Sequence, residues 1–249
     1  MIAPEVFYDG LAGLYDLIYE DWPASIERQG NALAEIIRLR CPEAKRIADV
    51  ACGIGTQSLG LAARGFALRG SDISSASVDR ARHEAAARNL TIDFAVDDMR
   101  RLASYPDASF DVVIACDNSL PHLLGDDEIR SALRQFHRIV RPGGLCILSV
   151  RDYEAVERQP VRVVPYGVKE RDGHRIVILQ VWTFLGDQYD LDFYFLFDDG
   201  HSAETRVFRT RYYAISIGRI IELAAEAGFV DVERVDGAFF QPLIVGKRA

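Results

Sequence analysis

The residues of this chain whose types and spacing point to chemistry are two acids and two glycines: Asp49, Gly53, Gly55 and Asp72. The first three lie in the run Arg46-Ile47-Ala48-Asp49-Val50-Ala51-Cys52-Gly53-Ile54-Gly55-Thr56-Gln57, which reads as a buried strand ending in a glycine turn, with Ser58 to Arg64 as the helix that follows. A turn of this kind is where an α/β domain holds a nucleotide-like ligand, because glycines let a ligand come close to the backbone. Asp49 sits inside the apolar strand, where an unpaired carboxylate is costly. Asp72 ends the next apolar run, Phe66 to Ser71, at about the offset where nucleoside-binding folds read ribose hydroxyls. Its plainer reading is a strand-end acid that caps the helix after Ser74. The turn lacks the third glycine of the dinucleotide fingerprint, which argues against a nicotinamide cofactor.

Positioning these residues takes alternating strands and helices. Strands are predicted near 46–51, 67–72, 91–96, 110–116 and 144–150, with helices near 57–64, 75–88 and 126–140. Phe110 to Cys116 is almost continuously apolar, as a strand covered on both faces should be. Asp126, Asp127 and Glu128 favour the positive end of the helix carrying Ile129, Leu133, Phe136 and Val140. Pro142-Gly143-Gly144 reads as a sharp turn into the fifth strand. After Val150 the period changes to two: Tyr189, Leu191, Phe193, Phe195 and Phe197 alternate with mostly polar residues. His174–Leu185 reads as the neighbouring strand, and Asp199-Gly200 is a hairpin signal into Glu204–Tyr213. A helix with Ile217, Ile220, Ile221 and Ala224 and strands near 229–235 and 239–247 complete the chain. The expected fold is α/β: a Rossmann-like, seven-stranded, mostly parallel sheet with helices on both faces and a small antiparallel sheet inserted after the fifth strand. The expected division is a domain of 46–158 and 214–249, an acceptor-binding insertion of 159–213, and an N-terminal segment, 1–45, packing on the domain. Within that segment Phe7, Tyr8, Tyr15, Tyr19 and Trp22 form a lid or cap a sheet edge, and a helix runs from about Ser25 to Arg40, ended by Pro42.

The 249 residues are 49% hydrophobic and 27% charged, with a formal net charge of −8. That balance suits a globular enzyme and argues against nucleic acid, whose binding rests on a basic face. No apolar run approaches the roughly 20 residues of a membrane span, and the N-terminus lacks the basic start and apolar core of a signal peptide; a cytoplasmic protein with no membrane partner is expected. Cys41, Cys52, Cys116 and Cys146 contain no CxxC pair and read as buried free thiols, with no metal site.

Asp49, Gly53, Gly55 and Asp72 together resemble the cofactor site of the class I S-adenosylmethionine-dependent methyltransferases, with Ala51 standing where many members have glycine. The resemblance implies S-adenosylmethionine as cofactor and S-adenosylhomocysteine as product. It implies that Asp98 accepts from the adenine amino group and that Ile73, Met99 and Cys116 also contact the cofactor. A narrower similarity, to the glycine and sarcosine N-methyltransferases, rests on four stretches: Asp49-Val50-Ala51-Cys52-Gly53, Asn118-Ser119-x-x-His122-Leu123, Val140-Arg141-Pro142-Gly143-Gly144-Leu145 and Arg151-Asp152-Tyr153. It implies that Arg151 grips an acceptor carboxylate and Asn118 holds its amine. Tyr19 and Tyr212 would add hydroxyl contacts, and Tyr8 and Arg28 would meet the donor carboxylate. His122 would assist deprotonation or simply pack. Met99 replaces a tryptophan, Phe193 replaces a substrate tyrosine, and the N-terminus is shorter than that of the tetrameric relatives, so a homo-oligomer is left open. The acceptor is then a small molecule, most plausibly the amine of an amino acid such as glycine or sarcosine. A phenolic or other metabolite oxygen, or binding without turnover, are the alternatives.

Overall fold

Apolar runs buried on two faces make the centre of the sheet. The computed structural model describes residues 3–249; Met1 and Ile2, which begin the stretch read for a signal peptide, lie outside the described residues. Strands β1 (Arg46–Asp49), β2 (Ala67–Asp72), β3 (Asp93–Val96), β4 (Phe110–Ala115) and β5 (Val140–Ser149) alternate with helices α3 (Thr56–Ala62), α4 (Ser75–Ala87) and α5 (Asp126–Ile139). They are preceded by α1 (Pro4–Leu11), a 3-10 turn at Tyr15–Ile18, and α2 (Trp22–Arg40). Strands β6 (Val161–Arg171), β7 (His174–Leu185), β8 (Gln188–Asp198) and β9 (Ala203–Tyr213) follow β5, and the chain ends with α6 (Ile217–Glu226), β10 (Phe229–Val235) and β11 (Leu243–Arg248). The larger sheet has seven strands in the order β10-β11-β5-β4-β1-β2-β3, parallel except for β11, which runs antiparallel to both neighbours; β6-β7-β8-β9 form a separate antiparallel sheet. This is the Rossmann-like arrangement expected from the sequence.

Alternation along β4 divides the core. Val113 and Ala115 pack with Ile129, Leu133 and Phe136 of α5 and with α6, whereas Val112 and Ile114 pack with Leu33 and Ile37 of α2. β1 lies between β4 and β2, so the chain order reverses there and the crevice beyond the strand ends opens at that point. α2 and α3 cross closely because both present glycine: a Cβ on Gly60 would lie 2.5 Å from the Ile26 carbonyl oxygen.

Three boundaries differ from the sequence expectation, each for a local reason. α2 starts at Trp22 because the Asp21 side chain caps it, accepting from Ala24 N–H at 2.9 Å. Pro142-Gly143-Gly144 lies inside β5 as a bulge, where the pairing jumps from Phe110↔Val140 to Val112↔Leu145. β11 begins at Leu243 because the Phe239–Pro242 stretch forms a loop. The N-terminal segment packs on both sheets: α1 lies against α4 and the edge strand β9, Phe7, Leu11 and Leu17 share a core with Ile178, Trp182 and Phe195 of the inserted sheet, and Trp22 shares one with Phe94 of the edge strand β3.

Candidate functional site

The glycine turn after β1 and the acid at the end of β2 form one hydrogen-bonded unit. Gly53 has φ +51°, a conformation that disfavours any side chain, and the space where a Cβ would stand is empty to 4 Å. Its N–H donates to Asp72 Oδ2 at 2.9 Å, and Ser74 N–H donates to Oδ1 at 2.9 Å. Each carboxylate oxygen thus keeps acceptor capacity for a ligand, in a cavity of about 270 Å³ that Gly53 and Asp72 both line. Burial raises the Asp72 pKa, opposed by its backbone donors. A carboxyl acceptor beside an open glycine backbone fits the ribose and amino-acid parts of S-adenosylmethionine.

Ala51, Ile73, Asp98, Met99 and Cys116 line the same cavity. Burial raises the Asp98 pKa, but the Arg100 guanidinium on its two oxygens, with Nη2 at 2.6 Å, holds it below the usual carboxylate range. Asp49 and Gly55 lie beneath the wall. Asp49 is 1% exposed and accepts from Ser58 Oγ at 2.7 Å; burial pushes its pKa up to about 7. Gly55, at φ +95°, precedes the first turn of α3 and donates to the Cys52 carbonyl at 2.8 Å.

Tyr8 and His122 close the cavity, with Tyr8 Oη 2.7 Å from His122 Nε2. Burial pulls the His122 pKa down to about 3, so the ring is neutral at pH 7. Arg28 is exposed, donates to Ser25 Oγ, and lines a neighbouring cavity of about 780 Å³ instead. Tyr19 lines both, and its hydroxyl donates to Asp117 Oδ2 at 3.0 Å.

A third, small cavity of about 50 Å³ brings Asn118, Arg151 and Tyr212 together, with Phe193 in its wall. Arg151 is deep in the molecule, its guanidinium 4.5 Å from the centre of the Trp182 ring and Nη1 3.4 Å from Tyr189 Oη. Among the described residues no carboxylate lies within 4.0 Å of it. Asn118 is bonded at both ends of its amide: Nδ2 donates to Tyr153 Oη at 2.8 Å and Oδ1 accepts from Arg151 N–H at 3.0 Å. Tyr212 stacks on Tyr189 with centroids 5.3 Å apart.

Sequence reasoning gave no site role to Asp117, Tyr153, Tyr189 or Trp182 individually. Asp117 and Asn118 both adopt positive φ, +57° and +63°, just after β4, a strain of order 1–3 kcal/mol each that tends to mark functional sites. The chain signals this only as an Asp-Asn pair at a strand end, residues that tolerate the left-handed region. For Tyr189 and Trp182, the inward-facing register of β8 and β7 was a usable signal. Among the described residues no group of three or more His, Cys, Asp or Glu side chains converges as a metal site, and all four cysteines are free and buried. No helix among them is long and apolar enough to cross a membrane.

The profile of a family described as "Methyltransferase domain" matches residues 47–144, the stretch from β1 to the bulge of β5. A putative methyltransferase of Bacillus subtilis is 29% identical over 150 residues, 58% of this chain and 56% of that protein, so the chain spans little more than half of that relative. A glycine/sarcosine N-methyltransferase of Parasynechococcus marenigrum is 27% identical over 216 residues, 85% of this chain and 72% of the relative. Among solved structures, an S-adenosylmethionine-bound amino pentose methyltransferase from Micromonospora echinaspora superposes with a TM-score of 0.79 at 21% identity, covering 90% of this chain and 92% of its own, a likeness of fold.

Proposed function

We infer that this chain carries a class I S-adenosylmethionine-dependent methyltransferase domain, and that the protein transfers a methyl group to the amine of a small acceptor bearing a carboxylate, such as an amino acid. S-adenosylmethionine, when bound, supplies an electrophilic methyl on a sulfonium. Transfer is a direct displacement, so the protein's main task is positioning, worth on the order of 7–11 kcal/mol in favourable cases. Asp72 and the backbone at Gly53 hold the ribose and amino-acid parts of the cofactor, and Asp98 and Met99 border the adenine end. The neighbouring small cavity takes the acceptor.

The observation that carries this reading is Arg151. A guanidinium stays charged at any working pH, and a buried charge without a partner is costly. Here it is stacked on Trp182, faces a cavity that Asn118 and Tyr212 also line, and has no carboxylate within 4.0 Å among the described residues. A ligand carboxylate relieves that cost and can be gripped bidentately. The glycine/sarcosine relative is consistent with this choice.

The test is turnover across glycine, sarcosine, other amino acids, amino sugars and simple phenols, following calorimetric binding of S-adenosylhomocysteine. Methylation of a carboxylate-bearing amine is expected, and in Arg151→Ala its KM should rise about 30-fold to several thousand-fold, the equivalent of about 2–5 kcal/mol for one partner of a buried pair. Turnover only on acceptors lacking a carboxylate, or an unchanged KM in the variant, overturns the reading.

A further inference from the structure

Arg151 has a counterpart that the reading above leaves unused. Asp117 is separated from the end of β4 by Cys116 alone and lines three cavities: that of the cofactor, the small one it shares with Arg151, and the outer one. It lies deep in the molecule yet is only half-buried, because its carboxylate faces these spaces. Its one side-chain partner is the Tyr19 hydroxyl at 3.0 Å, and among the described residues no Lys, Arg or His nitrogen comes within 4.0 Å of it. Two buried opposite charges thus border one small cavity without meeting.

Each is held in its place by something other than the opposite charge. Arg151 is kept on the Trp182 ring and against Tyr189. Asp117 is fixed by its left-handed backbone, by the bond from its own N–H to Ser149 Oγ at 2.7 Å, and by Tyr19. A carboxylate and a guanidinium separated across a cavity match a zwitterion, whose ammonium goes to the acid and whose carboxylate goes to the arginine. The acid end is also the end that opens on the cofactor cavity.

The geometry points to Asp117 as the group that receives the acceptor as an ammonium ion, takes one of its protons, and leaves the neutral amine to attack. This rests on the amine-and-carboxylate acceptor inferred above. The balance is simple. An N–H bond of the ammonium breaks and its electron pair stays on nitrogen, while the proton forms an O–H bond on Asp117. Nitrogen then bonds the methyl carbon, the carbon–sulfur bond breaks, and its pair returns to sulfur. The product leaves as a methylated ammonium, and Asp117 releases its proton to water through the outer cavity it lines.

The groups that set the charge of Asp117 come from every neighbouring element. Tyr8, Tyr15 and Tyr19 face it from the N-terminal segment, Tyr166 from β6, Cys116 from the residue after β4 and Arg151 from just past β5; Glu20, Arg28 and Asp152 share the outer cavity. Burial raises its pKa, and Tyr19 and Arg151 oppose the rise. An acid poised above the ordinary carboxylate range is better matched to accept a proton from an amine.

Asp117→Asn is the informative variant, because asparagine tolerates positive φ and keeps the shape of the side chain. With the amino acid that the wild type methylates, kcat/KM of the variant at pH 7 should fall about hundredfold or more, the usual size of a general-base contribution. It should then climb about tenfold per pH unit toward the pKa of the amine, as the neutral form becomes available without help. S-adenosylhomocysteine affinity should stay within about threefold. Equal rates and pH profiles in the two proteins overturn the role of Asp117, as does a loss explained by weaker S-adenosylhomocysteine binding. A binding measurement separates this from the underlying reading: in the S-adenosylhomocysteine complex, wild type should prefer glycine to acetate and Asp117→Asn should lose that preference. A wild type that methylates no amine defeats the inferred activity. A wild type that methylates an amine, with a variant that matches it, defeats only Asp117.

Discussion

Asp49→Asn should make the protein more stable at neutral pH. Asp49 is 1% exposed, and its pKa rises from 3.8 to about 7 because burial disfavours the charged form more than Ser58 Oγ and the Ala51 N–H favour it. Between about pH 4 and pH 7 the folded protein therefore holds a proton that the unfolded chain has released, so stability falls as pH rises through that window. At about 1.4 kcal/mol per pH unit the carboxylate costs about 4 kcal/mol by pH 7. An asparagine donates to Ser58 Oγ, accepts from Ala51 N–H and carries no charge. For a chain of this size, roughly 2–4 °C per kcal/mol puts the gain at roughly 10 °C in melting temperature above pH 7, shrinking to little near pH 4. The assay is thermal unfolding of both proteins across that range. Taking the difference matters, since His122, with its pKa pulled down to about 3, acts in the opposite sense: the unfolded chain binds a proton there that the folded one refuses, so its contribution is lost as pH falls below about 6.5. A variant that melts no higher than wild type at pH 8, or a difference that does not grow with pH, refutes the reasoning. Either would mean the carboxylate under the glycine turn is better compensated than its two donors allow.

Two further substitutions test the cofactor cavity and the packing beneath it. Asp72→Asn turns one cavity-facing acceptor into a donor and should weaken S-adenosylhomocysteine binding by about 1.5–3 kcal/mol, roughly 10- to 150-fold by calorimetry; affinity within twofold in a folded variant would remove Asp72 from the cofactor site. Gly60→Ala drives a methyl to 2.5 Å from the Ile26 carbonyl oxygen and 2.9 Å from Gly30 Cα, backbone atoms that yield only if α2 moves. It should cost about 1–3 kcal/mol, a fall of roughly 2–12 °C in melting temperature, and no loss would show that α2 and α3 can part freely.

Much of this was written in one dimension. The glycine turn between Asp49 and Thr56, the two-sided burial of Phe110–Ala115 and the period-two run of Tyr189–Phe197 each encode a local geometry, because strand and helix periods act over neighbouring residues. From these the seven-stranded sheet, the inserted sheet and the meeting of the glycine turn with Asp72 at one cavity were legible. The resemblance to known families added Asn118, Arg151 and Tyr212, which the structure brings to one small cavity. What the sequence could not show was which residues lack a partner. That Arg151 has a tryptophan face and, among the described residues, no carboxylate, that Arg28 lies in the neighbouring cavity, and that Asp117 lines the three cavities around it depends on segments such as Asn118 with Arg151 and Tyr19 with Asp117, 33 and 98 residues apart, coming together. Charge compensation is a property of distance in space, and it falls off over a few ångströms. Residue type and spacing fixed the strands and the turn; only the packing of the N-terminal helix and the inserted sheet over the strand ends decided which charges were left facing a ligand.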